Sequence, residues 1–73
     1  MNIRECTVLI VRRGGEYLVG RIFGSMELRW SKSPWDAWCT RRRNDAIMVA
    51  NRTGGEVILF NPVAGQIREA VLR

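Results

Sequence analysis

Residues 6–23 read CTVLIVRRGGEYLVGRIF, and this stretch decides the fold. Its first part, Cys6–Val11, is rich in β-branched residues and apolar on both faces, which predicts a central strand. Gly14 and Gly15 can supply the positive φ angles of a type I′ turn, a connection that joins antiparallel strands. The return strand is predicted over Tyr17–Phe23. We therefore expect the chain to start with a β-hairpin.

A third strand is predicted directly after this hairpin. Gly24 and Ser25 suit a turn, and the residues that follow alternate between apolar and polar, as in a strand with one face in water. The apolar positions are Met26, Leu28 and Trp30, and the polar ones are Glu27, Arg29 and Ser31. The chain up to Ser31 therefore predicts a three-stranded meander.

One helix is predicted in the second half of the chain. Pro34 ends the meander because proline cannot donate to a strand ladder. Four small or branched residues then recur at helical spacing on one face, namely Ala46, Val49, Ala50 and Thr53. Gly54 and Gly55 provide a left-handed stop. The pattern leaves two helix starts open, with either Thr40 or Asn44 as the N-cap.

The rest of the chain predicts a terminal hairpin. Val57–Phe60 is apolar on both faces, as in a buried strand, and Asn61–Gly65 has Pro and Gly at turn positions. We expect Gln66–Leu72 to pair back as the last strand, with a short helix as the alternative. The predicted fold class is α+β: an antiparallel sheet of four or five strands, made of a meander, then a helix, then a terminal hairpin. The one helix packs on one face of this sheet.

A single helix can cover only one side of such a sheet. The other side would carry apolar residues from Val8–Val11 and Val57–Phe60, and a small core often gains stability by self-association. We therefore expect a homodimer formed through the sheet or an edge strand.

Length and charge narrow the class of protein. The 73 residues form one domain, residues 1–73, and the formal net charge is +5. Eleven of the twelve basic residues are arginine, with Lys32 as the only lysine. Arginine suits phosphate and carboxylate partners, although a bias toward arginine codons predicts the same composition. No apolar run reaches the roughly 18 residues of a membrane span, and residues 1–4 lack a signal-peptide layout. We expect a cytoplasmic protein with no membrane partner.

The sequence contains no signature of an enzyme, a metal site or a cofactor site. There is no histidine, and the cysteines Cys6 and Cys39 lack the paired spacing of zinc ligands. We expect both thiols to be small buried residues. Asp36 and Asp45 flank a cluster of arginines, and ion pairing with that cluster is the simpler interpretation of both carboxylates. We expect no catalytic residues, no metal and no cofactor.

Arg41, Arg42 and Arg43 are the most distinctive feature of the sequence. Cations in the first turn of a helix oppose its dipole, at a cost of about 0.3–1 kcal/mol each. Two interpretations are open: Asp36 and Asp45 neutralise the cluster and the rest is solvated, or the cluster binds an anion or an acidic partner. Trp30, Trp35 and Trp38 lie just before them. We expect Trp30 to pack under the helix. For Trp35 and Trp38 two interpretations are open: one of them covers the edge of the core, or one of them is exposed beside the arginines.

Several of these features, taken in order, resemble a known type of protein. A hairpin is followed by Ser33-Pro34-Trp35-Asp36-Ala37, by a helix with Asp45-Ala46 and Val49-Ala50, and by Gly54-Gly55-Glu56-Val57. Over roughly residues 17–60 the chain resembles the small uncharacterised ββαβ proteins of bacteriophages and prophages. The resemblance implies a mobile-element origin, but these proteins share no activity. Trp38, the arginine triplet and the terminal hairpin depart from their pattern.

These observations predict a small non-enzymatic binding module that modulates a host or defence protein. The predicted contact residues are Arg41, Arg42, Arg43, Trp35, Trp38 and Lys32. The first alternative is a small basic nucleic-acid-binding protein, in which arginines contact phosphates and tryptophans stack on bases. The second alternative is a protein that binds a small anion, such as a nucleotide, at the start of the helix.

Overall fold

The strand predicted at the front of the sequence is the centre of the sheet. A computed structural model of the chain describes residues 7–21 and 28–69. The strands are β1 (Val8–Arg13), β2 (Glu16–Arg21), β3 (Leu28–Ser31), β4 (Cys39–Thr40), β5 (Glu56–Asn61) and β6 (Gln66–Glu69), and the helix α1 is Arg43–Thr53. The strand order is β3-β2-β1-β5-β6, and β4 also pairs with β1. All pairs are antiparallel, so the α+β class is confirmed.

Within the described residues the sheet has six strands instead of the predicted four or five. The additional strand is β4, whose two residues lie opposite Leu9 and Ile10 of β1. The partner strand β2 is opposite Arg12 and Arg13, at the other end of β1. One edge of β1 is therefore shared between two strands. A two-residue strand has no periodicity that a sequence pattern could reveal.

The predicted turns around the strands are confirmed where the structure describes them. Gly14 and Gly15 have φ angles of 58° and 83°, as a type I′ turn requires. The Asn61 side chain accepts hydrogen bonds from the backbone N–H groups of Val63 and Ala64, at 3.0 and 3.2 Å, and so stabilises the last turn. The tail is a strand over Gln66–Glu69. The predicted turn at residues 24–25, Met26, Glu27 and residues 70–72 lie outside the described ranges.

The helix has the predicted buried face, but its predicted start is wrong. Ala46, Ala50 and Thr53 are buried, and the left-handed Gly54, with φ of 74°, ends the helix. The N-cap is Arg42, instead of Thr40 or Asn44. Because Thr40 pairs with Leu9 in β4, the chain needs two further residues before it can enter the helix. The Thr40 hydroxyl accepts the Arg42 N–H at 3.0 Å, just outside the helix.

The sheet has an apolar core on each face. On the helix side the buried residues are Leu9, Val11, Leu18, Ala46, Ala50 and Val57. On the other side they are Ile10, Ile58 and Phe60, with Val8, Tyr17 and Ala37 packed against them. Ile10 and Ile58 are 0% exposed and Phe60 is 2% exposed within a single chain. These strand residues are therefore covered within one chain, and homodimerisation stays a prediction.

The segment 32–38 connects the two faces, and we call it the strap. The strap follows β3 and packs against the second face at Ala37. It then returns to the sheet, where the backbone N–H of Trp38 donates to the Leu18 carbonyl at 2.7 Å. No helix within the described ranges is both long enough and apolar enough to cross a membrane.

Candidate interaction surface

Trp35 is placed by a short, hydrogen-bonded turn within the strap. Pro34 opens a single 3₁₀ turn, Pro34–Asp36, where its fixed φ suits a first helical position. The Asp36 and Ala37 N–H groups donate to the carbonyls of Ser33 and Pro34, both at 3.2 Å. The Ser31 hydroxyl accepts the Ser33 N–H at 3.1 Å and lies 3.3 Å from Asp36 Oδ2. The backbone that presents Trp35 is thus held at both ends.

The indole ring of Trp35 rests on the second face of the sheet. Its Nε1–H donates to the Pro62 carbonyl at 3.2 Å. The ring meets Phe60 edge-on, with centroids 5.3 Å apart and planes at 89°, a favoured aromatic geometry. A Cβ atom at Gly65 would lie 3.3 Å from Cζ2 of the indole, so the turn is in close contact with the ring. Even so, Trp35 is 61% exposed.

Two more apolar side chains are exposed beside Trp35. Val63 is 67% exposed and lies in the turn between Pro62 and Gly65, both of which contact the indole. Ile67 is 36% exposed and lies opposite Phe60 in the β5–β6 register, so it shares the second face. We call Trp35, Val63 and Ile67 the Trp35 surface. Sequence reasoning missed Val63 and Ile67, although an apolar residue within a turn is a signal that could have identified Val63.

The arginine triplet lies at the same end of the sheet as Trp35, but next to the helix face. In the register of the sheet, Thr40 is opposite Leu9 and Phe60 is opposite Val8, so both sites lie where β1 starts. Arg41, Arg42 and Arg43 are exposed at the start of α1. Arg41 and Arg43 each have an interaction partner already. The triplet therefore adds positive charge to the end of the sheet that carries Trp35.

Arg12 on β1 forms two ion pairs, one with Glu56 and one with Glu69. These pairs raise the pKa of Arg12 above its ordinary value, the hydrogen bond to Glu69 most and that to Glu56 next. The Arg12 guanidinium therefore joins β1 to β5 and β6 and stabilises the fold.

Trp38 and Trp30 belong to the helix side. Trp38 is half-buried against the helix-side core, so the structure does not bring it together with Trp35. Trp30 packs against the same core, as predicted, and the Arg13 guanidinium lies 4.1 Å from its ring centroid. Arg13 Nη1 also donates to the Thr53 carbonyl at 2.8 Å, at the end of the helix. Lys32 is exposed in the strap.

The described residues contain no group of three or more His, Cys, Asp or Glu side chains that could hold a metal ion. Cys39 is a free, exposed thiol in β4, so the expectation of a buried thiol was wrong for this residue. Cys6 lies outside the described ranges. The arrangement is suited to contact with a partner through an ordered aromatic surface.

No protein-family model matches the sequence, and neither a curated protein nor a solved structure is significantly similar to it.

Proposed function

We propose that this chain is a non-enzymatic protein-binding module whose partner docks on the Trp35 surface. The observation that carries the proposal is an indole that is 61% exposed and yet held by a hydrogen bond, an aromatic contact and a glycine turn. The resemblance to phage and prophage proteins leads us to propose a host or defence protein as the class of partner.

The contribution of Trp35 to binding follows from its exposed area. A tryptophan side chain buries about 150–250 Å² when covered, so the exposed share of Trp35 is worth about 2–4 kcal/mol at roughly 25 cal/mol per Å². Because the ring is already fixed on Phe60 and Pro62, little conformational entropy is lost on binding. Ordered tryptophans surrounded by smaller apolar residues are typical of interface hot spots.

The charged residues around this surface favour a partner with an acidic rim. Lys32 and the triplet Arg41–Arg43 are exposed, and the triplet lies at the end of the sheet that carries Trp35. Rim charges mainly raise the rate of association and exclude wrong partners. We therefore propose that Trp35 supplies affinity and the basic residues supply selectivity.

A photo-crosslinking amino acid at Val63 tests this proposal directly. The matched control carries the same group at Met48, which is 46% exposed on α1, away from the Trp35 surface. In bacterial lysate, the Val63 probe should capture a protein that the Met48 probe does not. The same capture should fail when Trp35→Ala is added. Identical products from the two probes, or capture that survives Trp35→Ala, would contradict the proposal.

A second candidate function is binding of nucleic acid, and the triplet at the Trp35 end of the sheet favours it. Three phosphate contacts by Arg41, Arg42 and Arg43 would make duplex affinity fall about 40-fold between roughly 50 and 200 mM salt. Titration of labelled random DNA and RNA measures this dependence. The triple Arg→Ala variant should lose it, while Arg29→Ala, an exposed arginine on β3, should keep it. Salt-insensitive or absent binding would remove this candidate and leave the protein partner.

A further inference from the structure

A groove opens on the helix side of the sheet, on the face away from the Trp35 surface. Its volume is about 320 Å³, and it is lined by Leu18, Gly20, Leu28, Trp38, Val49, Arg52 and Thr53. This volume lies at the lower end of the range of small-molecule sites. The predicted alternation in β3 would have buried Leu28, whereas Leu28 is 37% exposed at the groove.

The groove lies beside an irregularity in the pairing of two strands. The pairing of β2 with β3 is irregular between Leu18 and Gly20, and Gly20 has a φ of 108°, a conformation that favours glycine. The Trp38 side chain lies beside Gly20 of β2, and the backbone N–H of Trp38 donates to the Leu18 carbonyl at 2.7 Å. The groove therefore borders a position of β2 at which the backbone conformation favours glycine.

Arg52 is the one charged side chain among the seven that line the groove. Within the described part of the chain it has no hydrogen bond or ion pair, whereas the nearby Arg13 is engaged with Trp30 and with the Thr53 carbonyl. The Thr53 hydroxyl is itself satisfied, since it donates to the Val49 carbonyl at 2.8 Å. The groove thus combines an apolar wall with one cation that has no counter-charge among the described residues.

We propose that this groove binds a small apolar carboxylate, such as a medium-chain fatty acid. The carboxylate would pair with the Arg52 guanidinium, and the hydrocarbon would lie along Trp38, Leu18 and Val49. Arginine binds a carboxylate through two parallel hydrogen bonds, and burial of the ligand's hydrocarbon against the apolar wall is favourable. This site is separate from the proposed protein-binding surface and does not depend on it.

Titration with octanoate, followed by two-dimensional amide NMR, tests the proposal. We expect saturable shifts at Gly20, Leu28, Val49 and Thr53, and no shift at Val63 or Ile67. Octanol, which has the same chain without the charge, should bind roughly tenfold more weakly, because a charge-assisted hydrogen bond is lost. No saturation with octanoate, or equal binding of octanol, would overturn the proposal.

Matched variants separate the groove from general charge attraction. Arg52→Gln should weaken octanoate binding about tenfold, while Arg42→Gln, an exposed arginine at the other end of α1, should leave it unchanged. Leu28→Glu places a negative charge at the groove and should also weaken binding. Equal losses in the Arg52 and Arg42 variants would show attraction to net charge alone and would refute the site. Trp35→Ala should not affect octanoate, so failure of the protein-binding proposal stays distinguishable.

Discussion

Replacement of Gly55 by alanine should destabilise the fold more than any other single methyl addition at a described glycine. A Cβ atom at Gly55 would lie 2.6 Å from Cγ1 of Val11 and 3.0 Å from the carbonyl oxygen of Arg12. Val11 is fully buried, and the Arg12 oxygen belongs to the backbone of the central strand β1. Neither neighbour can move away without disturbing the sheet.

The size of the effect follows from these contacts. Overpacking a core costs about 1–3 kcal/mol, and the two rigid neighbours place Gly55→Ala near 3 kcal/mol. For a domain of this size, each kcal/mol lowers Tm by about 4–8 °C. We therefore expect a fall of roughly 12–24 °C, measured by far-UV circular dichroism during thermal unfolding.

Gly14→Ala is the control that separates steric clash from backbone strain. Gly14 has a φ of 58°, but nothing lies within 4 Å of a Cβ there, so only the left-handed conformation costs free energy, about 1–2 kcal/mol. Addition of Val11→Ala should recover at least about 1 kcal/mol of the Gly55→Ala loss in a double-mutant cycle. If Gly55→Ala unfolds within about 1 kcal/mol of the unmodified chain, the close approach of Gly55 to β1 is not the constraint that we infer.

Further expectations concern the side chains that hold the sheet and strap together. Trp35→Ala should lower the free energy of unfolding by about 2–4 kcal/mol, because it removes the covered share of the ring, its edge-on contact with Phe60 and its hydrogen bond to the Pro62 carbonyl. Partner capture is therefore compared at a temperature at which circular dichroism shows the variant to be folded; a loss below about 1 kcal/mol in urea titrations would contradict this. Arg13→Met should cost about 1–2 kcal/mol, because it removes both the contact over Trp30 and the hydrogen bond to the Thr53 carbonyl; an unchanged urea midpoint would show that neither contact contributes. The pKa of Arg12 is raised in the folded state. The stabilisation of the fold by Arg12 is therefore complete below the ordinary pKa of arginine, and it is lost only as the pH rises through the higher pKa of the folded state. The difference in stability between the unmodified chain and Arg12→Met should therefore be constant from about pH 7 to about pH 10, and a decline over that range would refute the assignment.

Local chemistry made part of the fold predictable from the sequence. Gly14-Gly15, the Ala46/Ala50 face and the turn at Asn61–Gly65 each specify a conformation within a few residues, and all three are present in the structure. The strand β4 and the true N-cap at Arg42 were not predictable in this way. Both depend on Thr40 pairing with Leu9, a contact between distant parts of the chain.

The candidate site was also only partly predictable from the sequence, because long-range contacts place some of its residues. Exposure of one tryptophan next to the proline turn was one of two interpretations that the sequence left open, and Trp35 and Trp38 could not be told apart because both follow Pro34 by a few residues. Their separation onto opposite faces comes from the strap, which places Trp35 on Phe60 and Trp38 beside Leu18. Ile67 joined the surface only through its register with Phe60.

The pairing of β1 with β5 has a consequence for how the chain is made. The central strand finds its main partner only after most of the sequence, since Arg12 bonds to Glu56 across 44 residues and to Glu69 across 57. During synthesis the N-terminal end emerges first. The apolar stretch Val8–Val11 therefore remains unpaired with β5 until residue 60 has been added. Contacts of such long separation slow folding, because a large loop must close before they form. Folding of this domain is therefore expected to begin only after β5 has been synthesised, and truncation anywhere before β5 should leave an unfolded, aggregation-prone chain.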